Sequence, residues 1–180
     1  GFISYSRKDE RIAKRLHRAL ERYRLPDGLA GNVENRRLGR FFRDDDELRA
    51  SEHLGAALDG AIDDSKDLIV IASPDAARST WVDKEVRRFK CRDSARVFAV
   101  IVRGRPNSDD ANSECFPLAL KFRVGADGML TTEPADPPLA ANLTDERFAR
   151  AFIRLVAGLL DVGFDALWQR ERRRTRYRRA

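Results

Sequence analysis

One carboxylate stands where the sequence predicts the apolar side of a helix. Read at helical spacing, the stretch STWVDKEV (residues 79–86) and the residues after it have an apolar arc about 140° wide, and Glu85 lies inside it. The apolar members of this arc are Trp81, Val82, Val86 and Phe89. A carboxylate there is partly desolvated, which raises its pKa and costs free energy unless a partner compensates it. Two interpretations are open: Glu85 pairs with an arginine or reaches out at the rim, or it serves a site for a cationic, ring-bearing ligand beside an aromatic side chain.

Several familiar sites are excluded by the residues present. The first predicted strand is followed by SYSRKDE, without glycine, so neither a dinucleotide-binding glycine turn nor a P-loop is present. No GxSxG stretch supports a hydrolase serine. The two histidines, His17 and His53, are isolated, and Cys91 and Cys115 form no metal-spaced set, so we expect no metal and no cofactor. His17 falls on the polar side of its helix and is expected to be solvated.

The elements that must position Glu85 alternate between strand and helix. DLIVIAS and ARVFAVIV are nearly continuous apolar runs, which is the pattern of strands covered on both faces, and the helix with Glu85 lies between them. This order predicts an α/β fold, doubly wound.

The rest of the chain gives weaker signals for further strands and helices. GFISYS and LGRFF are short predicted strands, and a helix over DERIAKRLHRALERYRL has Asp9 as its N-cap. Residues 103–142 are rich in Gly, Pro, Asn and Asp, and we expect one short strand there, near ALKFRV. Three further helices are predicted: one through Leu54, Leu58, Ala61 and Ile62, one from Phe148 to Leu159, and one from Phe164 into the arginine-rich end.

Charge and composition restrict the classes of partner. The 180 residues carry a net charge of +6, and residues 170–179 hold seven arginines against Glu171, so the rest of the chain is neutral overall. A neutral body argues against nucleic acid as a partner. The arginine-rich end is a solvated charge run, a linker toward a further domain or membrane segment, or a segment that itself binds nucleic acid. No apolar stretch approaches the ~20 residues that span a bilayer, and two cysteines suit a reducing compartment, so we expect a cytoplasmic protein.

Four motifs occur in order: FISYSRKD, FFRDDDEL, AIDDSKDLIVIASP and STWVDKE. Together they resemble a TIR (Toll/interleukin-1 receptor) domain of the bacterial type. The resemblance implies a flavodoxin-like α/β fold, doubly wound, with a five-stranded parallel sheet and helices on both faces. It places the TIR domain at residues 1–160, followed at 161–180 by a C-terminal helix whose arginine-rich tail links to a further domain or membrane segment of a longer protein.

The same resemblance implies the site. WVDKE matches the WxxxE element of TIR enzymes that cleave NAD⁺, which makes Glu85 catalytic and Trp81 the adjacent aromatic wall. Ser6, Arg7 and Arg49 match positions that approach the nucleotide in such enzymes. The loop after the second strand mediates assembly and borders the substrate cleft in the family, and here it contains Asp44, Asp45, Asp46, Glu47 and Leu48.

The implied activity is that of an NAD⁺ glycohydrolase or cyclase. NAD⁺ is then the substrate and not a cofactor, and the products are nicotinamide and ADP-ribose or a cyclic ADP-ribose. The resemblance also implies activation by self-assembly with other TIR domains, as a homo-oligomer or filament, in bacterial immunity or signalling. The alternative is a scaffold without enzymatic activity, which binds other TIR domains through the acidic loop.

Overall fold

The structure, a computed structural model, describes residues 1–26, 37–43, 52–92 and 94–177. In chain order its elements are β1 (Phe2–Ser4), a 3-10 turn (Arg7–Asp9), α1 (Glu10–Arg22), β2 (Phe42–Arg43), α2 (Glu52–Asp63), β3 (Asp67–Ala72), α3 (Pro74–Ala77), α4 (Thr80–Lys90), β4 (Arg96–Ile101), α5 (Leu118–Lys121), β5 (Phe122–Val124), β6 (Leu130–Pro134), β7 (Leu139–Asn142), α6 (Phe148–Leu160) and α7 (Phe164–Tyr177).

Five of these strands form one parallel sheet, in the order β2-β1-β3-β4-β7. The predicted flavodoxin-like α/β fold is thereby confirmed. At the centre, Ile69 of β3 pairs with Ile3 of β1 on one side and with Phe98 of β4 on the other. β3 is apolar along nearly its whole length because helices cover both of its faces.

Alternating side chains of the sheet enter two separate cores. On one face, Ile69 and Ile71 pack with residues of α1, α6 and α7, among them the fully buried Leu167. On the other face, Leu68 and Val70 pack with residues of α2, α4 and α5. Successive side chains of a strand point to opposite faces of the sheet, so each one packs against the helices on its own face.

The order of the strands places a topological switch point between β1 and β3. β1 and β3 are neighbours, but the chain leaves β1 toward β2 and leaves β3 toward β4. The connections at their carboxyl ends therefore diverge, and open α/β sheets bind ligands at such a point. The residues that follow β1, β3 and β4 are the ones that border this carboxyl edge of the sheet.

The short strand predicted near ALKFRV is confirmed as β5 (Phe122–Val124), but it is not part of the main sheet, and residues 103–142 hold two further strands, β6 and β7. There, α5 is followed by β5, which pairs antiparallel with β6 outside the main sheet. The fifth strand of the main sheet is β7, whose sequence LAAN has no β-branched residue and therefore gives a weak strand signal.

Two predictions in α1 are corrected as well. His17 is half-buried instead of solvated, and its Nε2 lies 2.8 Å from the carbonyl oxygen of Phe41. Helix α1 begins directly after Asp9, as expected, but the side chain of Asp9 makes no capping hydrogen bond. Its carboxylate instead accepts hydrogen bonds from residues far away in the sequence.

The last helix begins where the sequence predicted, at Phe164, and its arginine-rich part is not solvated throughout. The hydroxyl of Tyr23 donates a hydrogen bond to Glu171 (3.0 Å), and Arg174 donates one to the carbonyl of Arg24 (2.9 Å). Burial and the nearby carboxylate of Glu171 raise the pKa of Tyr23. Within the described ranges, every helix is too short or too polar to cross a membrane.

Candidate active site

Glu85 lies inside the protein, in the layer between α4 and the sheet. Only 5% of its surface is exposed, and Val82, Val86 and Phe89 around it on α4 are fully buried. The helix is fixed one turn earlier, where the hydroxyl of Ser79 accepts the backbone N–H of Val82 (3.3 Å). The interpretation of Glu85 as a side chain reaching out at the rim is therefore wrong, and its pairing with an arginine stays a prediction.

The carboxylate of Glu85 is held from the sheet by Ser4. The hydroxyl of Ser4 donates a hydrogen bond to Oε2 of Glu85 at 2.5 Å, in a buried position. Ser4 ends β1, and its side chain points to the same side of the sheet as that of Phe2, which packs in the α4 layer. A hydroxyl that donates to a carboxylate favours the ionised form.

Trp81 occupies the first turn of α4 and is 49% exposed. Its position four residues before Glu85 places both side chains on one side of the helix. The Nζ atom of Lys84 lies 5.2 Å from the centre of the indole ring. An accessible aromatic face is thus found one helical turn from a buried carboxylate.

Of the other predicted site residues, Ser6 and Arg7 lie at the same edge of the sheet. Both follow β1, and the carbonyl of Ser6 accepts the backbone N–H of Asp9 (2.8 Å) to form the 3-10 turn. Ser6 is half-buried and Arg7 is exposed. Arg49 and the predicted assembly loop at residues 44–48 lie outside the described residues.

A second buried carboxylate, Asp9, lies at this edge and is 4% exposed. The hydroxyl of Ser73, which follows β3, donates to its Oδ2 (2.5 Å). Arg103, which follows β4, donates to its Oδ1 (3.0 Å). Asp9 therefore ties together the segments that leave the carboxyl ends of three strands.

Asp75 extends this network toward the surface. Its carboxylate accepts hydrogen bonds from Lys8 (2.9 Å) and from Arg103 (2.7 Å). These two cations, Lys8 first and Arg103 second, lower the pKa of Asp75 to about 2. The turn after β1, which contains Arg7, is thereby held against the start of α3.

Two features of the site were missed by sequence reasoning. Ser4 was not singled out, although a polar residue in a strand covered on both faces must have a polar partner, and this signal could have found it. The partners of Asp9 could not be found locally, because Ser73 and Arg103 lie 64 and 94 residues away along the chain. Among the described residues, no group of three or more His, Cys, Asp or Glu is placed to hold a metal ion.

The comparison with known families agrees with this architecture. The chain matches the TIR domain family over residues 2–124, which is more than half of its length. The chain therefore belongs to the TIR domain family.

A curated relative carries the same kind of domain within a longer chain. The protein named NAD(+) hydrolase ApTIR, from Actinoplanes sp. (strain ATCC 31044 / CBS 674.73 / SE50/110), is 30% identical over 169 residues. The match covers 88% of this chain and 23% of the relative. The chain thus spans about a quarter of the length of the relative it matches.

Proposed function

We propose that this TIR domain cleaves NAD⁺ at the bond between nicotinamide and ribose. The observation that carries the proposal is the buried carboxylate of Glu85, held by Ser4 and one helical turn from the exposed ring of Trp81. The name of the Actinoplanes relative, an NAD(+) hydrolase, supports the same reaction. NAD⁺ is the substrate, and the proposal requires no metal and no cofactor.

The chemistry explains why one carboxylate suffices. When the C1′–N1 bond breaks, its electron pair stays with the nicotinamide nitrogen, and positive charge develops on the ribose. Ordinary glycosidases need a second carboxyl group as an acid for the leaving group. Nicotinamide is already cationic in NAD⁺ and leaves as a neutral molecule, so no acid is required.

Each residue of the site has a role in this proposal. Glu85 binds the ribose hydroxyls and stabilises the developing positive charge. The ring of Trp81 forms the wall against which the nicotinamide lies. Ser6 and Arg7 approach the nucleotide from the end of β1, and Arg49 approaches it from the loop.

The second step decides the product. If water adds to C1′ and releases a proton, the products are nicotinamide, ADP-ribose and H⁺. If a nucleophile on the adenine end of the same molecule attacks C1′ with loss of a proton, the products are nicotinamide, a cyclic ADP-ribose and H⁺. Either depletion of NAD⁺ or release of a cyclic signal is the output that we propose, in bacterial immunity or signalling.

We propose further that assembly activates the domain. In this account the loop with Asp44, Asp45, Asp46, Glu47 and Leu48 contacts a neighbouring TIR domain and completes the cleft. The isolated domain is then weakly active, and its activity rises as copies associate.

A scaffold without enzymatic activity is the second candidate. The observation that favours it is the surface of α1, where Arg11, Arg15, Arg18 and Arg22 are exposed. These four positions fall on one side of the helix and are opposite in charge to the acidic segment at residues 44–47. The net charge of residues 1–169 is zero, and a net charge does not reveal such a local basic surface.

Nicotinamide release with product analysis tests the proposal. It is measured over a range of protein concentrations, with and without a crowding agent, for the wild type, for Glu85→Gln and for Glu133→Gln. Glu133 is the matched control because it is a glutamate with an exposed side chain, away from the site. We expect turnover that rises faster than linearly with protein concentration, is lost in Glu85→Gln by about 10³-fold, and persists in Glu133→Gln.

Two results would contradict the proposal. Turnover by Glu85→Gln at the wild-type rate would show that Glu85 is not catalytic. Absence of turnover in wild-type protein that is demonstrably assembled would favour the scaffold, which should keep its partner binding in Glu85→Gln.

A further inference from the structure

We infer that Ser4 is a positioning residue, which fixes the direction and the ionised state of the Glu85 carboxylate. This inference rests on the proposed function, because it assigns to Ser4 an effect on the catalytic group of that reaction. Ser4 itself is enclosed by the protein and does not reach the surface, so it acts only through Glu85.

The sheet fixes the position of the Ser4 hydroxyl. Ser4 is fully buried in β1, and its backbone pairs with Val70 in the neighbouring strand β3. Its hydroxyl is therefore fixed by the sheet, whereas Glu85 has a flexible side chain that extends from α4. The hydrogen bond of 2.5 Å from Ser4 therefore holds the carboxylate of Glu85 in one position. Catalysis depends on such placement, since an error of about 1 Å can lower a rate about 100-fold.

The hydroxyl of Ser4 also acts on the charge of the Glu85 carboxylate. Glu85 shares its layer with Phe2, Val82, Val86 and Phe89, which are all fully buried. Apolar surroundings favour the protonated carboxyl group, which cannot stabilise positive charge on the ribose. The hydroxyl of Ser4 opposes this because a hydrogen bond donated to a carboxylate is stronger than one donated to a neutral acid.

Loss of the fixed position and loss of the hydrogen-bond donor have different kinetic effects in the variant Ser4→Ala. Loss of positioning lowers kcat, and loss of the donor moves the acid limb of the profile of kcat against pH to higher pH. The KM for NAD⁺ changes little, because Ser4 does not contact the substrate. A merely structural role would lower stability without moving the pH profile.

The chain offers a matched control in Ser65. It is also a buried serine, and its hydroxyl donates to the carbonyl of Ala61 (2.7 Å) at the end of α2, away from Glu85. Ser65→Ala therefore removes the same atom from a similar depth without touching the site. Ser4→Cys is the conservative variant, since it keeps a weak donor of similar size.

The test compares assembled wild type, Ser4→Ala, Ser4→Cys and Ser65→Ala by nicotinamide release between pH 4.5 and pH 8. For Ser4→Ala we expect kcat to fall about 10- to 100-fold, KM to stay within about threefold, and the acid limb to move up by about 1 pH unit. Ser4→Cys should lie between Ser4→Ala and wild type, and Ser65→Ala should match wild type. A Ser4→Ala profile that superimposes on wild type would overturn the inference.

A second measurement separates this inference from the proposed function. The side-chain carboxyl signal of Glu85 is followed by ¹³C NMR against pH in wild type and Ser4→Ala, with Glu85→Gln used to assign it. If assembled wild type released no nicotinamide, the proposed function would fail, yet a higher titration midpoint in Ser4→Ala would still support the link between Ser4 and Glu85. An unchanged midpoint would overturn that link, whatever the activity.

Discussion

Two buried carboxylates at one edge of the sheet, Asp9 and Glu85, differ in what surrounds them. Both are about 95% buried, and each accepts a hydrogen bond of 2.5 Å from a serine hydroxyl. Asp9 also binds the guanidinium of Arg103, and through it is connected to Asp75. Glu85 lies beside fully buried apolar side chains of α4, and Trp81, one helical turn before it, is half-exposed.

We propose different roles for the two carboxylates, a structural role for Asp9 and a catalytic role for Glu85. The charge of Asp9 is compensated by a cation, and its three connected segments hold the ends of β1, β3 and β4 in place. Glu85 joins α4 to β1 through Ser4, and one helical turn away the protein presents an aromatic surface. We therefore expect changes around Asp9 to lower stability and changes around Glu85 to lower activity.

The largest expected effect on stability is that of Arg103→Met. It leaves the buried Asp9 without its cation, and breaking a fully buried pair costs roughly 3–5 kcal/mol. Because the side chain of Arg103 is 51% exposed, we expect a smaller loss of about 2–3 kcal/mol in the free energy of unfolding, measured by urea denaturation. The control is Arg123→Met, which removes an exposed arginine 3.8 Å from Glu133 and should cost under about 0.5 kcal/mol. Equal effects of the two variants would contradict a structural role for Asp9.

A smaller effect is expected from Asp75→Asn, and it depends on pH. The pKa of Asp75 is lowered from 3.8 to about 2, so its stabilising contribution is fully present above about pH 4 and is lost as the pH falls toward 2. At pH 6 the variant should be less stable than wild type by on the order of 1–2 kcal/mol. The difference should shrink when urea denaturation is repeated at pH 3. A difference independent of pH would show that the ion pairs of Asp75 do not stabilise the fold.

The smallest effect on stability is expected from Trp81→Ala. Half of the indole is already exposed, so we expect a loss of under about 1 kcal/mol. The KM for NAD⁺ should nevertheless rise about tenfold, since an aromatic contact is worth about 0.5–1.5 kcal/mol beyond its buried area. Trp81→Phe should retain most of the affinity. A KM that is unchanged in Trp81→Ala would remove the indole from the proposed binding site.

The fold could be predicted where the pattern was strong. β3 and β4 are apolar along most of their length, and the helix between them places Glu85 with three buried neighbours, as its spacing indicated. β7 was missed because its small residues carry little preference for a strand. Its place in the sheet depends on pairing with β4, which no local pattern encodes.

For the candidate site, local sequence and family resemblance could predict single residues but not the contacts between distant ones. Glu85 and Trp81 are candidate site residues from spacing within one helix and from the resemblance of WVDKE to the WxxxE element, and their roles stay predictions. The role of Ser4 and the network around Asp9 arise from contacts between residues 64 to 94 positions apart, which the topology of the sheet creates. His17 was misjudged for the same reason, because its partner Phe41 lies in a different segment.

The most direct test of the account measures nicotinamide release and thermal stability side by side in assembled Glu85→Gln and Arg103→Met. We expect Glu85→Gln to lose about 10³-fold in release while its Tm stays within about 3 °C of wild type. Arg103→Met should melt about 5–10 °C lower and keep its rate per folded molecule within about tenfold of wild type. Release by Glu85→Gln at the wild-type rate, or losses of activity that simply follow the loss of stability in both variants, would contradict the account.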